Sequence, residues 1–352
     1  MGVEMVYCPQ ADFALGDGGP GPVGATYRFL SSAANTAVPA TITSAYETGA
    51  QTFYCYPNNV VTTIAGVPAT WPKGQYGFYI MKYEISEGNY VEFLNTIGGV
   101  AQTARYPGNV GTNRNQTQPG IALNTYATSR PDRAQNWLAW ADVSAFLDWA
   151  CLRPMTETEY EKACRGTTTF TTGEFAWGST ALTATNGGTF TAPGNENGTE
   201  TMSLPVGANC AYGGTSNYTN GDGGAGPLRG GIFALSNSTR VSAGATYFGV
   251  MEMTGNIWDM VVGMHSTGAS NVFTRTWGNG TVNAADGNHD VAGGWPAAGT
   301  VPAGTSTTNL VGWRGSAWDD NGVVSQQVSS RNGVYNSTAA TRYRSTGGRG
   351  LR

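Results

Sequence analysis

The strong helix signals of this chain lie in one stretch, between Ser86 and Gly166. The chain then continues for more than half of its length without a comparable apolar period. Elsewhere, short aromatic and β-branched runs are separated by Gly, Pro, Asn and Ser, which is typical of short strands and loops. A doubly wound parallel sheet needs strands that alternate with helices. The order observed here instead predicts an α+β fold with few helices, short strands and much irregular loop.

Three amphipathic segments make up the helical stretch. The first begins after Ser86, a good N-cap residue, and ends at Gly98-Gly99. The second runs from about Trp140 to Leu152, and the third begins at Thr156, where Thr-Glu-Thr-Glu forms a capping box, and ends at Gly166. The residues expected to face the core are Tyr90, Phe93, Leu94 and Ile97, then Trp140, Val143, Phe146, Leu147 and Ala150, then Tyr160, Ala163 and Cys164.

Strand patterns occur twice within Met5 to Asp17, once at Tyr76 to Ile85, and as strand, turn, strand at Tyr247 to Val262. Residues 100–135 are predicted to be polar loop. Stretches rich in Gly, Thr and Asn at about 18–75, 167–245 and 263–310 are interpreted as loop insertions. We therefore predict one large domain over residues 1–352, with a distinct C-terminal block at residues 311–352.

Composition narrows the class of function. Charged residues make up 12% of the chain, about half of the usual share near 25%. The net charge of −4 and the pI near 5.2 argue against nucleic acid as a partner, since a nucleic-acid binder normally shows a basic stripe. No window approaches a transmembrane span, and the start shows no signal peptide.

The five cysteines give no clear framework. Their number is odd and none forms a CxxC pair, which is weak support for either disulfides or a metal site. Cys151 and Cys164 lie in apolar helical contexts that favour buried free thiols. Cys8 and Cys55 are left as either a pair or two free thiols.

The C-terminal block, residues 311–352, contains no Lys, Glu, His, Cys or Met. It therefore lacks most of the usual nucleophiles, bases and soft metal ligands. Small, amide, hydroxyl and aromatic residues with a few Arg remain, which is the composition of a recognition surface. We interpret the rest of the chain as a scaffold for this block.

Four segments in order resemble one family. Met5-Val-Tyr with Phe13-Ala-Leu-Gly is similar to its opening, and Phe78 to Asn95 resembles its "Y-E-V-T…Y-x-x-F-x-N" segment. Arg153 to Gly166 resembles "R-L-P-T-E-A-E-W-E-x-A-A-R-G", and Gly249 to Asp259 resembles "G-L-x-D-M-x-G-N-V-W-E". Together they resemble the formylglycine-generating-enzyme (sulfatase-modifying factor) superfamily. This resemblance implies a C-type-lectin-like fold with little regular secondary structure.

The resemblance also bears on catalysis. Catalytic members bind copper through two cysteines just after an "R-G-G-S" motif. Here that motif is Arg314-Gly-Ser-Ala-Trp318, and no cysteine follows Cys210, so oxidase activity and copper are not expected. Members that form sulfoxides use three histidines for iron. This chain has only His265 and His289, so iron is not expected either.

One branch with this fold comprises the variable proteins of diversity-generating retroelements, whose C-terminal block is diversified to create new ligand-binding surfaces. That process changes adenines, mostly in Asn codons, and Asn332 to Thr346 contains only residues that it can produce. The resemblance favours a non-catalytic receptor or adhesin with such a block. Two alternatives remain open: a family member with a fixed tail, and an oxidase relative with relocated chemistry.

A binding protein of this kind is expected on a virion, phage tail or cell surface, with a protein or glycan ligand on another cell or particle. Exposed Tyr, Asn and Arg side chains suit adaptable contacts. The predicted ligand-binding residues are Trp318, Asp319, Asp320, Asn321, Asn332, Tyr335, Asn336, Tyr343 and Arg344. By contrast Trp313, Arg314, Gly315 and Arg349 are interpreted as framework.

The family's "G-N-V-W-E" turn helps hold a structural calcium ion. By this resemblance the possible ligands are Asn256, the backbone of Ile257, and Asp259. Oxygen ligands suit Ca²⁺, although Asp in place of Glu shortens the reach by one methylene. The alternative is a turn that Asn256 stabilises without any metal.

Overall fold

A computed structural model describes residues 2–18, 28–34, 38–55, 62–122, 125–185, 189–190, 202–203, 207–213, 217–218, 223–264, 272–291, 293–298, 311–335 and 341–352. The helices are α1 Ser44–Thr48, α2 Glu87–Ile97, α3 Gly99–Arg105, α4 Trp140–Trp149, α5 Glu157–Arg165 and α6 Asn332–Tyr335, with a 3-10 helix at Val323–Gln326. The strands are β1 Met5–Cys8, β2 Phe13–Leu15, β3 Phe29–Leu30, β4 Ala40–Ile42, β5 Gln51–Cys55, β6 Thr62–Val67, β7 Phe78–Met81, β8 Gln118–Pro119, β9 Tyr126–Ala127, β10 Arg153–Pro154, β11 Thr189–Phe190, β12 Met202–Ser203, β13 Asn217–Tyr218, β14 Gly224–Ala225, β15 Trp258–Val262, β16 Val311–Arg314, β17 Thr346–Gly347 and β18 Gly350–Leu351.

Two of the three main helices, α2 and α5, begin where their caps predict, whereas α4 begins after Ala139, which makes no side-chain cap hydrogen bond. Ser86 accepts a hydrogen bond from the Asn89 amide at the start of α2. At the start of α5, Thr156 and Glu159 form the reciprocal capping box, which satisfies two amides that the helix itself leaves unpaired. Every residue of α5 is buried, so its carboxylates face protein rather than solvent.

Two sheets receive strands from the C-terminal block. The first has the antiparallel order β1-β7-β18-β10, so β18 lies between β7 and β10. The second has the order β16-β15-β17, in which β16 is antiparallel and β17 parallel to β15. The block is therefore part of the scaffold as well as an appendage to it. The α+β class predicted from the sequence is confirmed.

The structure corrects three local expectations. The predicted polar loop begins with helix α3, because Gly98 and Gly99 both adopt positive φ and turn the chain into a second helix. In the segment Tyr247 to Val262, only β15 is a strand, since residues 249–256 contain several positive φ angles that interrupt extended backbone. Helix α4 ends at Trp149 rather than near Leu152, because Cys151 adopts a φ of 55°.

In the main core, α4 packs against α2 and against β10 of the first sheet, while α5 packs against β2 and against β15 of the second sheet. Phe93 lies 5.8 Å from Phe146 and 5.5 Å from Trp149, measured between ring centroids. All five cysteines are free thiols, so Cys8 and Cys55 do not form the pair that the sequence left open. None of the helices in the described ranges is both long and apolar enough to span a bilayer.

Candidate functional site

Buried arginines fix the C-terminal block to helix α5. Nη2 of Arg314 donates to Glu161 Oε1 at 2.6 Å, and Arg331 makes two hydrogen bonds of 2.6 and 2.7 Å to the carboxylate of Glu157. Burial pushes the pKa of Glu157 upwards, but Arg331 and Arg314 outweigh it and hold the pKa below its usual value. Glu157 is therefore charged and paired, and the framework role interpreted for Arg314 is confirmed.

Arg349 anchors the other end of the block. Its Nε lies 2.9 Å from Asp259 Oδ2, and its two terminal nitrogens donate to the carbonyl oxygens of Met251, Glu252 and Lys82. The side chain is completely buried. Arg349 is therefore framework, as its place in the sequence suggested.

Three aromatic rings form a row that runs outward from the second sheet. The ring of Trp313 lies 5.9 Å from that of Trp258 and 6.3 Å from that of Tyr343, with an angle of only 18° in the second pair. Both tryptophans are half-buried, whereas Tyr343 is 40% exposed. We call Trp258, Trp313 and Tyr343 the aromatic row. At the outer end of the row, the exposed ring of Tyr343 stacks on the half-buried ring of Trp313.

Arg344 lies beside the outer end of this row. Its guanidinium is 5.6 Å from the centre of the Tyr343 ring and 5.8 Å from that of Trp318. Its Nε pairs with Asp319 Oδ2 at 2.7 Å, and 45% of its side chain is exposed. The hydrogen bond to Asp319 raises the pKa of Arg344 above its usual value. The site thus combines a fixed, solvent-facing cation with an exposed aromatic ring.

Two predicted contact residues, Trp318 and Asp319, have buried side chains, and that of Asp319 is 6% exposed. Trp318 is 2% exposed, because it packs in a small cluster with Ala134 and Ile257. Its indole N–H has no acceptor among the described residues. Trp318 therefore lies beneath the surface, and the expectation that it meets solvent was wrong.

The other predicted residues divide between the surface and the interior of the block. Asp320 holds a turn, since its carboxylate accepts from Ser316 Oγ at 2.7 Å and from the Gly322 amide at 2.8 Å. Asn321 is exposed, and Asn332 is half-buried and donates to Ser325 Oγ at 3.3 Å. Tyr335 lies in α6, and Asn336 falls outside the described residues.

Two surface residues were not predicted. Trp313 was interpreted as framework, yet it forms the middle of the aromatic row. Val323, on the 3-10 helix, is 48% exposed. Neither position carries a periodic sequence signal. On β16, Trp313 is half-buried while Val311, Gly312 and Arg314 are all buried, so burial does not alternate along this strand. Val323 lies in a 3-10 helix of only four residues, which is too short to show a period.

The possible calcium ligands are already engaged by protein groups. Asn256 Oδ1 accepts from the Leu228 amide at 2.8 Å, and both oxygens of Asp259 accept from Arg349. Asn256 Nδ2 and the Ile257 amide donate to Glu84 at 2.6 and 3.2 Å. This arrangement does not fit a calcium ion, because the side-chain oxygens are occupied and a buried guanidinium lies beside them. Calcium binding at this turn stays a prediction.

The buried thiols are poorly suited to redox chemistry. Burial raises the pKa of Cys164 to about 12 and raises that of Cys210 further, whereas the reactive form of cysteine is the thiolate. In the described ranges, no three His, Cys, Asp or Glu residues are grouped so that they could hold a metal ion. His289 is described, and its Nδ1 lies 2.9 Å from Ser144 Oγ, while His265 is outside the described residues.

Comparisons with known proteins place these features in a family context. The family model of the sulfatase-modifying factor enzyme 1-like domain matches residues 67–343. Among solved structures, Treponema denticola variable protein 1 is similar with a TM-score of 0.39 and 12% identity, over 99% of this chain and 94% of that chain. A crystal structure of CarF gives a TM-score of 0.40 and 12% identity, over 100% and 98% of the two chains. No curated protein matches the chain.

Proposed function

The chain belongs to the family of sulfatase-modifying factor enzyme 1-like domains, with its α+β, C-type-lectin-like fold, and from this we propose that it is a non-catalytic ligand-binding protein. Its binding surface is the outer face of the C-terminal block. We place the protein on a virion or cell surface, where the ligand is a protein or glycan on another cell or particle.

The observation that carries this proposal is the division of the block into two layers. The buried layer consists of Arg314, Arg331 and Arg349, each held by carboxylates of the scaffold. The outer layer presents Tyr343 and Arg344 over a packed aromatic base. Tyr and Arg on a rigid support lose little conformational entropy on binding and are frequent in binding hot spots.

The outer layer also suits diversification. Asn321, Tyr343 and Arg344 are exposed, and all three belong to the residue types that adenine changes in Asn codons produce. We therefore propose that this chain is the variable protein of a diversity-generating retroelement. Sequencing the locus tests this: the proposal requires a reverse transcriptase and a near-identical repeat that differs only at adenines, and a locus without them contradicts it.

A binding screen tests the surface itself. Wild-type protein is applied to a glycan array and to a panel of purified cell-surface proteins, and hits are quantified by calorimetry. Tyr343→Ala and Arg344→Ala are expected to weaken binding at least about tenfold, which corresponds to about 1.4 kcal/mol each. Tyr79→Ala is the control, since Tyr79 is 49% exposed but lies on β7. Equal binding by both block variants and wild type would place the ligand elsewhere.

An enzyme assay separates this proposal from its main alternative, an oxidase relative with relocated chemistry. Purified protein is titrated with copper and incubated with cysteine-containing peptides under oxygen. No turnover is expected, because the block contains no cysteine and the Cys164 and Cys210 thiols are buried. Peptide oxidation that is lost on substitution of a cysteine would overturn the non-catalytic reading.

A further inference from the structure

The guanidinium of Arg349 lies in a cage of oxygen atoms. Its nearest neighbours are Asp259 Oδ2 at 2.9 Å and the carbonyl oxygens of Met251 at 2.9 Å and Glu252 at 3.2 Å. Lys82 O and Glu84 Oε1 lie slightly further away, at 3.4 and 3.9 Å. Carboxylates and backbone carbonyls are also the groups that hold a hard cation such as Ca²⁺. The distances here are those of hydrogen bonds rather than of metal–oxygen bonds.

The same cage connects to the Asn256–Asp259 turn. Glu84 bridges the two, because its Oε2 accepts from Asn256 Nδ2 and its Oε1 accepts from the Ile257 amide. Asp259, which belongs to the turn, is the closest carboxylate to the guanidinium. The cation and the turn therefore share their carboxylates, and both Glu84 and Asp259 are almost fully buried.

We propose that the Arg349 guanidinium acts as an internal cation at the Asn256–Asp259 turn and replaces the metal ion there. The C-terminal block supplies this cation when Gly348 and Gly350, on either side of it, dock onto Ile85 and Met81. The turn is thus fixed by docking of the block, and the fold is independent of divalent cations at this position. A second cation in the same cage would lie beside the guanidinium, and the oxygen atoms that it needs already accept hydrogen bonds from Arg349.

Thermal unfolding with and without calcium tests the proposal on the whole chain. The unfolding midpoint of wild-type protein is expected to stay the same in EDTA and in millimolar CaCl₂, since a ligand that binds only the native state would raise it. A calcium-dependent midpoint that Asp259→Asn abolishes overturns the proposal. Should Asp259→Asn not fold, Asn256→Ser serves instead. A calcium response that survives the substitution comes from another site and leaves the proposal standing.

A cation-deletion variant sharpens the test. Arg349→Met keeps much of the apolar stem but removes the charge, so Glu84 and Asp259 are left facing each other without a cation between them, although Glu84 still accepts from Asn256 and Ile257. We expect a loss of several degrees in the midpoint and a partial recovery in CaCl₂. Arg314→Met is the matched control, because Arg314 is equally buried but pairs with Glu161 on α5. It should lose stability without any calcium response.

The outcomes of this variant are decisive in both directions. The proposal is supported if CaCl₂ partly restores the unfolding midpoint of Arg349→Met but not that of Arg314→Met, since a metal ion then substitutes for the guanidinium. A folded Arg349→Met variant with no response to calcium overturns it. If Arg349→Met does not fold, the wild-type measurement in EDTA and CaCl₂ decides alone.

Discussion

Glu252 is a buried carboxyl group without a charged partner in hydrogen-bond contact in the described part of the chain. One of its carboxyl oxygens accepts from the Gly231 amide at 2.7 Å, while the other is buried with no partner among the described residues. Burial raises the pKa of Glu252 to about 7. Its φ of 51° is also unusual for a residue other than glycine. The raised pKa and the unpartnered oxygen point to a carboxyl group that is protonated in the folded protein below neutral pH.

This shift predicts a pH dependence of stability. Because the pKa in the folded state is higher than in the unfolded state, the folded protein binds more protons, and its stability falls as the pH rises from about 4.5 to 7. The contribution is about 3 kcal/mol over this range. Glu252→Gln should remove it, so the variant gains stability relative to wild type as the pH increases. Urea unfolding at pH 5, 6, 7 and 8 measures the difference, with Glu92→Gln on the exposed side of α2 as control. A constant difference across this range would contradict the assignment.

Trp318 carries a second prediction at this scale, because its indole N–H is buried without an acceptor. Trp318→Phe removes that unsatisfied donor along with some apolar area, so stability should change by less than about 1 kcal/mol. Trp318→Ala empties the cluster and should cost about 3 to 5 kcal/mol. Chemical unfolding gives both values. A Trp318→Phe variant that keeps its stability but loses a ligand bound by the wild type would return this residue to the proposed binding surface.

The sequence predicted the types of residue in the proposed binding surface better than their positions. Tyr343, Arg344 and Asn321 are exposed as expected, and their neighbours in the block are polar. Trp318 was misplaced because its burial depends on Ala134 and Ile257, which are distant in sequence. A tryptophan in a Gly- and Asp-rich loop carries no periodic pattern that would reveal such contacts.

At the scale of elements, helix α5 is the base on which the block rests. Its start was predictable, because a capping box is a local signal of four residues. Its complete burial was not, because Glu157 and Glu161 resemble solvent-facing residues until Arg331 and Arg314 are brought to them. The same holds for β17 and β18, which are two residues long and exist only through pairing with β15 and with β7 and β10.

The Arg331–Glu157 pair should therefore dominate the attachment of the block. Arg331→Met leaves the Glu157 carboxylate buried with only the more distant Arg314 as a charged partner, at 3.9 Å. We expect the free energy of unfolding to fall by about 3 to 5 kcal/mol, which is typical when one partner of a buried ion pair is removed. The double variant Arg331→Met/Glu157→Gln should lose less than the single variant. A double-mutant cycle by urea unfolding measures this coupling, and strictly additive losses would contradict it.

At the scale of the whole molecule, β18 connects the two halves of the first sheet, because it pairs with both β7 and β10. Gly350 lies where an added Cβ would be 2.4 Å from Leu147 Cδ2 and 2.9 Å from Leu152 Cδ1. Its amide meets the sulfur of Met81, which is 269 residues away in sequence. Contacts of such long range form late in folding, because the entropy of closing the loop must be overcome first.

Gly350→Ala should accordingly destabilise the protein by about 1 to 3 kcal/mol through overpacking. If β18 docks after the folding transition state, the substitution accelerates unfolding and leaves the folding rate nearly unchanged. Stopped-flow folding and unfolding in urea measures both rates. Gly322→Ala is the matched control, because Gly322 lies in the same block with a φ of −89° and meets only side-chain oxygens at 3.3 Å. A slower folding rate for Gly350→Ala would instead place β18 in the folding nucleus.

Among the described strands, β18 is also the last to be synthesised, and this order affects the nascent chain. β7 and β10 leave the ribosome long before Gly350–Leu351, so a nascent chain holds two strand edges with no strand between them. Unpaired edges are templates for pairing with other chains. Neighbouring nascent chains on one polysome are therefore exposed to edge-to-edge association until translation reaches β18. Ribosome-associated chaperones, which shield such edges, should increase the yield of soluble protein more than a slower rate of elongation does.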